Sequence, residues 1–293
     1  MSYNFDKKFN EYFVAFEKEI SEYLNSLDTQ ISTTLKDAIL YSVLGGAKRI
    51  RPILGMATAD LLGVEFNKVK HLFIALELIQ AYSLVHDDLP AMDDDDYRRG
   101  KLSTHKKFGE AMGILAGDAM LNLAFETALK RSSIDQNYIN ALKLVFDFSG
   151  YNGMVYGQVL DLENEKNPCY TEQILNEIFN NKTVKMFKAP LLATSLIADG
   201  KYFSELSEYG ECLGLAFQIQ DDILDVEGSL ETIGKTPNKD QNSDKLTSVK
   251  IYGLQGAKLK AQELFEKSIK AIENIDNNQF LIDLANKLNK RKY

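Results

Sequence analysis

Two runs of carboxylates dominate the chemistry open to this chain. They are Asp87-Asp88-Leu89-Pro90-Ala91-Met92-Asp93-Asp94-Asp95-Asp96 and, more than a hundred residues later, Asp221-Asp222-Ile223-Leu224-Asp225. Each closes an apolar stretch of helical period, where a carboxylate meets the negative end of the helix dipole and needs a cation to offset it. Asp221 and Asp225 are four residues apart, and Asp222 and Asp225 three, so their side chains share one side of a helix. Two unit charges about 4 Å apart repel by roughly 4 kcal/mol at an effective dielectric near 20, so such a group requires a cation, a proton or full solvation. Oxygen donors with no neighbouring His or Cys suit a hard ion, and Mg2+ takes one or two carboxylates together with waters and phosphate oxygens. Magnesium shared with a phosphate-bearing substrate is therefore the expectation. An EF-hand loop fits poorly, because its central Gly and closing Glu are missing from 87–96, and a solvated acidic surface leaves the repetition unexplained.

Basic residues supply the complement. Lys48-Arg49-Ile50-Arg51 follows Gly45-Gly46-Ala47 and runs into Pro52, which suits the first turn of a helix, so cations and a helix N-terminus can face one anion. Arg98-Arg99-Gly100 trails the first acidic run, Lys182, Lys185 and Lys188 recur along a helical stretch, and Lys235 stands in a long polar segment. Taken singly, each reads equally well as a solvated surface charge. His71, His86 and His105 lack the serine and paired carboxylate of a nucleophilic site and read as structural.

The elements that must carry these residues are helices. Phe5, Phe9, Phe13, Phe16, Ile20, Leu24 and Leu27 form one stripe, and the same period returns over 35–44, 52–62, 69–86, 111–130, 138–160, 174–189 and 206–226, and twice after Ala257. Strand-like alternation is missing, which predicts an all-α protein. Two long polar stretches, 89–109 and 228–245, interrupt the rhythm directly after the two acidic runs; loops of that length in a compact domain are usually functional. The second, with Lys235 in it, is expected to close over a bound diphosphate. With 293 residues, 45% hydrophobic, and no linker or repeat, the chain is expected to form one domain over 1–293. Cys169 and Cys212 suit a reducing compartment, and neither a leader pattern nor a run of eighteen apolar residues is present, so a cytoplasmic protein without a membrane span is expected. The net charge of −8 argues against nucleic acid as a partner.

Taken together, these motifs resemble those of the trans-prenyltransferases, and within them the bacterial short-chain farnesyl diphosphate synthases. Residues 45–52 resemble the family's Gly-Gly-Lys-Arg-x-Arg-Pro segment. Residues 83–100 resemble its first aspartate-rich motif with the two-residue insertion of bacterial members. Ile114 to Ala119, Gly157-Gln158-Val159-Leu160-Asp161, Lys182-Thr183, Phe217 to Asp225, Gly234-Lys235 and Asp240 follow in the family's order. The resemblance implies a single-domain bundle of long helices around a central cavity, the isoprenoid synthase fold, with the aspartate motifs facing each other at its mouth. It implies that Asp87, Asp93 and Asp221 hold Mg2+, with Asp88, Asp222 and Asp225 supporting. Arg98, Lys182, Thr183, Gln218 and Lys235 would contact the allylic diphosphate or its metals, and Lys48, Arg51 and Arg99 the diphosphate of isopentenyl diphosphate. Lys245 would sit near the closing loop, and a homodimer is expected on the same ground.

Some positions depart from the pattern. Ala47 separates the glycine pair from Lys48, Gln80 stands where many relatives place a His that contacts isopentenyl diphosphate, and Val184 replaces a Gly. Phe179 replaces a His, Ser103 a Pro, and Leu246-Thr247-Ser248 only loosely matches the family's Lys-x-Thr-Tyr stretch. These bear on affinity and chain length, not on the metal ligands. A terpene cyclase would share the helices and one aspartate motif but lacks the Lys48–Arg51 segment. A noncatalytic partner subunit would tend to lose an aspartate run, whereas this chain keeps both; geranyl and geranylgeranyl products are the alternatives within the family.

Tyr82 bears on product length. It lies five residues before Asp87, about 7.5 Å further down the same helix at 1.5 Å per residue, and a large ring there would floor the chain-binding cavity. Farnesyl-forming members carry an aromatic at this place. Tyr82→Ala is expected to yield longer prenyl chains; an unchanged product profile by chromatography would contradict that role.

Overall fold

The computed structural model describes residues 3–27, 32–130, 134–227 and 245–290. Among them the elements in order are α1 (Phe5–Asn25), α2 (Thr33–Val43), α3 (Ile50–Leu62), α4 (Phe66–Asp87), β1 (Tyr97–Arg98), β2 (Lys101–Leu102), α5 (Thr104–Phe108), α6 (Glu110–Ala128), α7 (Gln136–Ser149), α8 (Met154–Lys166), α9 (Glu172–Phe179), a π-turn (Asn180–Val184), α10 (Lys185–Ile197), α11 (Phe203–Glu227), α12 (Ser248–Ala271) and α13 (Gln279–Asn289). Helices carry the molecule, as the period of the apolar residues requires. None of the described helices is long and apolar enough to cross a membrane.

The described residues gather into two compact units. The first takes those up to Met56 and Glu65–Ile134; the second takes Ala57–Val64 and most of those from Asp135 onward. In the first unit α4 is buried almost all round, from Val69 through Val85, as a helix apolar on every face must be. Phe16, Ile20 and Leu24 of α1 and Ala116, Met120 and Ala124 of α6 are fully buried as well. In the second unit Tyr138 of α7, Phe187 and Leu191 of α10, Leu213 of α11, Phe265 of α12 and Leu284 of α13 form the interior. Asp135, Thr171 and Thr247 start α7, α9 and α12 by accepting a hydrogen bond from a backbone N–H three residues on.

Three expectations are corrected. The helical stretch over 138–160 is two helices, α7 and α8, parted at Gly150–Gly153, where two glycines flank Tyr151-Asn152 and break the ladder. The stretch 89–109 is not a bare loop. It holds a hairpin in which Tyr97 pairs with Leu102 and Arg98 with Lys101, followed by the short helix α5. Arg99 and Gly100 form its two-residue turn with φ of 55° and 73°, as a type I′ turn demands, and glycine meets that demand without strain. The stretch 174–189 is likewise not one helix but α9, the π-turn and the start of α10.

One buried polar contact fixes α11 against α13. The Tyr209 hydroxyl donates to the Leu281 carbonyl at 2.8 Å, and Tyr209 is fully buried. Tyr209→Phe keeps the ring and removes this hydrogen bond, so unfolding in urea is expected to show a loss of about 1 kcal/mol; an unchanged midpoint would contradict it.

Candidate active site

The first acidic run folds back on the end of α4. Asp93 N–H donates to the Asp87 carbonyl at 2.8 Å, Asp94 N–H to Leu89 at 3.1 Å and Asp95 N–H to Asp88 at 3.1 Å. Asp93 therefore returns beside Asp87 through a turn, although six residues separate them. Asp87 and Asp93 are half-buried, whereas Asp88 is buried and accepts from Arg98 Nε at 2.9 Å and from Arg98 Nη2. Arg98 Nη2 also reaches buried Asp95 at 3.4 Å. Burial pushes the Asp88 carboxyl up to about 6 even though Arg98 pulls the other way, while Arg98 stays charged because Asp88 and Asp95 offset its own burial.

The second run repeats this division of labour. Asp221 is half-buried, and Asp222 is buried with Oδ2 accepting from the Ser248 N–H at 2.6 Å and the Ser248 hydroxyl at 2.7 Å. Asp225 is buried too. One turn before Asp222, Gln218 donates to Asp222 Oδ1 at 3.4 Å and accepts from the Thr183 hydroxyl at 2.8 Å. Among the described residues no three His, Cys, Asp or Glu are gathered to hold a metal by themselves. Half-buried aspartates with oxygen donors only fit Mg2+ of the kind whose shell is completed by water and phosphate.

Lys182 lies in the π-turn and donates to Asp161 at 2.7 Å; Lys245 reaches the same carboxylate at 3.6 Å and Glu165 at 3.7 Å. The three lysines expected along one helix diverge, because the wider π-turn resets the side-chain direction. Lys185 bonds the Asn152 carbonyl and Asn181, and Lys188 pairs with Glu211 at 3.1 Å. Glycines on two neighbours admit the π-turn. A Cβ on Gly157 of α8 would sit 2.2 Å from Lys182 N, and one on Gly214 of α11 would sit 3.0 Å from Val184 Cα. Gly157 and Asp161 are one helical turn apart, so α8 receives the Lys182 backbone with one residue and its ammonium with the other. That spacing was present in the sequence as a signal for Asp161, and pattern reading assigned it no role.

A polyprenyl synthetase model matches residues 32–283. The chain belongs to the polyprenyl synthetase family. It is 44% identical over 250 residues to a farnesyl diphosphate synthase of Micrococcus luteus, covering 83% of this chain and 85% of that one. Among solved structures, a geranyltransferase from Legionella pneumophila superposes with a TM-score of 0.86 at 32% identity, covering 98% of this chain and 97% of the other. A geranyltransferase from Helicobacter pylori, complexed with magnesium and isoprenyl diphosphate, superposes with a TM-score of 0.82 at 29% identity over 98% and 97%.

In this polyprenyl synthetase the basic segment before α3 divides as the aspartates do. Lys48 is exposed, but Arg49 is buried, with φ of 53°. It bonds the Val43 carbonyl at 2.7 Å, Glu77 at 2.6 Å and Glu17, so it braces α1 and α4. Burial lowers Arg51 to about 10, with Glu77 opposing and Arg99 adding to the fall; Arg99 is lowered as well, by burial first. Burial, reinforced by Asp87, raises the Tyr82 phenol to about 12, and its ring meets His86 edge-on at 5.9 Å. Gln80 is half-buried. Lys235, Gly234, Asp240 and the expected closing stretch up to residue 244 lie outside the described residues.

Pattern reading missed Glu77 because a lone Glu within an apolar helix carries no motif. Its carboxylate is 5% exposed and serves Arg49 directly and Arg51 and Arg99 through the local field. Glu77→Ala is expected to destabilise the fold by about 3–5 kcal/mol, as the removal of one partner from a buried pair does. Glu17→Ala, at a side chain 31% exposed, is expected to cost less in the same denaturant titration.

Proposed function

We propose that this chain is a short-chain trans-prenyltransferase that joins isopentenyl diphosphate to dimethylallyl or geranyl diphosphate and releases farnesyl diphosphate. One observation carries the reading. In both acidic runs the second aspartate of the pair is buried and held by protein donors while the first stands half-buried, which supports the first as a metal ligand. Membership of the polyprenyl synthetase family supports the same reading. Asp87, Asp93 and Asp221 would hold Mg2+, which when bound neutralises the charge that grows on a departing diphosphate.

The rest falls to the side chains. Arg98, Lys182, Thr183 and Gln218, with Lys235 beyond the described residues, would hold the allylic diphosphate as its carbon–oxygen bond breaks and the electron pair leaves with the phosphate. Fixed donors of this kind stabilise developing charge without reorganising at the moment of reaction. Lys48, Arg51 and Arg99 would bind the diphosphate of isopentenyl diphosphate, with Gln80 nearby. That orients its double bond to attack the allylic carbon and form the new carbon–carbon bond, with the lost proton passing to pyrophosphate. Arg51 suits the task because an arginine lowered first by burial and then by Arg99 gains from an anion that faces both. Tyr82, buried in α4, would limit the chain to fifteen carbons.

We further propose that residues 1–293 act as one catalytic domain, in the cytoplasm and as a homodimer. Exposed Ile114, Leu115, Phe125 and Leu129 on α6 support association, and two unbridged cysteines suit a reducing compartment. Purified protein incubated with Mg2+, isopentenyl diphosphate and radiolabelled geranyl diphosphate is expected to give labelled farnesol after phosphatase treatment. Asp87→Ala and Asp221→Ala are expected each to lower kcat/KM at least about a hundredfold, the scale of losing electrostatic stabilisation of the leaving group. Cyclic hydrocarbon, or no product without a second protein, would overturn the reading.

A further inference from the structure

Ser248, the first residue of α12, aims two donors at one carboxylate. Its N–H lies 2.6 Å and its hydroxyl 2.7 Å from Asp222 Oδ2, and Ser248 is wholly buried. The hydroxyl is not needed to start the helix, because Thr247 already accepts from the Lys250 N–H at 3.3 Å. The N–H is available whatever residue stands here. The hydroxyl depends on the side chain that stands here.

The bonds beyond Asp222 have only one sense. Asp222 Oδ1 accepts from the amide nitrogen of Gln218 at 3.4 Å. That turns the Gln218 carbonyl toward the Thr183 hydroxyl, which must then donate, at 2.8 Å. Ser248, Asp222, Gln218 and Thr183 thus form one directional relay within the second unit, ending beside Lys182 in the π-turn.

We propose that Ser248 is a positioning residue for the allylic diphosphate: by pinning Asp222 it sets the Gln218 amide and, through it, the Thr183 hydroxyl. This rests on the reading above that Thr183 and Gln218 meet that diphosphate. Steady-state kinetics with Mg2+, geranyl diphosphate and isopentenyl diphosphate test it. Ser248→Ala is expected to raise the KM for geranyl diphosphate about five- to tenfold, the scale of one hydrogen bond to a charged group. The KM for isopentenyl diphosphate should stay within about twofold, a split that general loosening of the fold does not produce. Ser248→Thr should restore wild-type values, and Ser248→Ala should add nothing in a Gln218→Ala background, as members of one relay are not additive. If the alanine variant fails to fold, Ser248→Cys, which adds slightly to the volume and weakens the donor, carries the same expectation. An unshifted geranyl KM, or equal rises in both, overturns the relay while wild-type turnover leaves the proposed function standing. A wild type that makes no prenyl product overturns the function and the relay together.

Discussion

A carboxylate can be taken out of water only if something inside the protein replaces the water, and each of the two units meets this requirement on its own. Asp88 and Asp95 have Arg98, Asp161 has Lys182 and Lys245, and Asp222 has both donors of Ser248. None of these partners is interchangeable with solvent, because a buried charge without them would cost several kcal/mol. The immediate sequence neighbours of two such residues, Asp87 and Asp221, are then left at half burial with their direction fixed by the helix that carries both. If Asp87 and Asp221 hold the metal as proposed, their support comes from the adjacent residue in the chain.

The same balance runs in reverse around α4. Arg49, Arg51 and Arg99 crowd one region of the first unit, and Glu77 is the buried anion they have in common. Arg49 meets that anion in direct contact, whereas Arg51 and Arg99 feel it through the local field.

The helices were legible because burial of one face repeats every three to four residues, and both acidic runs and the basic segments were legible as clusters. What separates Asp87 from Asp88, or Arg49 from Arg51, came from the family resemblance and not from composition or spacing. Identical side chains one or two positions apart acquire different tasks from tertiary burial, which composition does not encode. The break between α7 and α8 had a local signal in Gly150 and Gly153. The hairpin at 97–102 had a poor one, since Arg99 is an unusual choice for positive φ. The π-turn had none within itself; its cause lies on α8 and α11, where Gly157 and Gly214 make room for it.

The π-turn has a further meaning for how this chain can change. A π-turn holds one residue more than the α-turn it replaces, so it is in effect an insertion that the helix has absorbed without a loop. Every side chain from Lys185 to Ile197 owes its heading to that surplus residue, including Phe187 against Phe217 and Pro190 in the interior. Losing a residue anywhere in 180–184 would swing the following helix by about 100°, turning its apolar flank to solvent. The segment therefore cannot change in length without a repacking of α10.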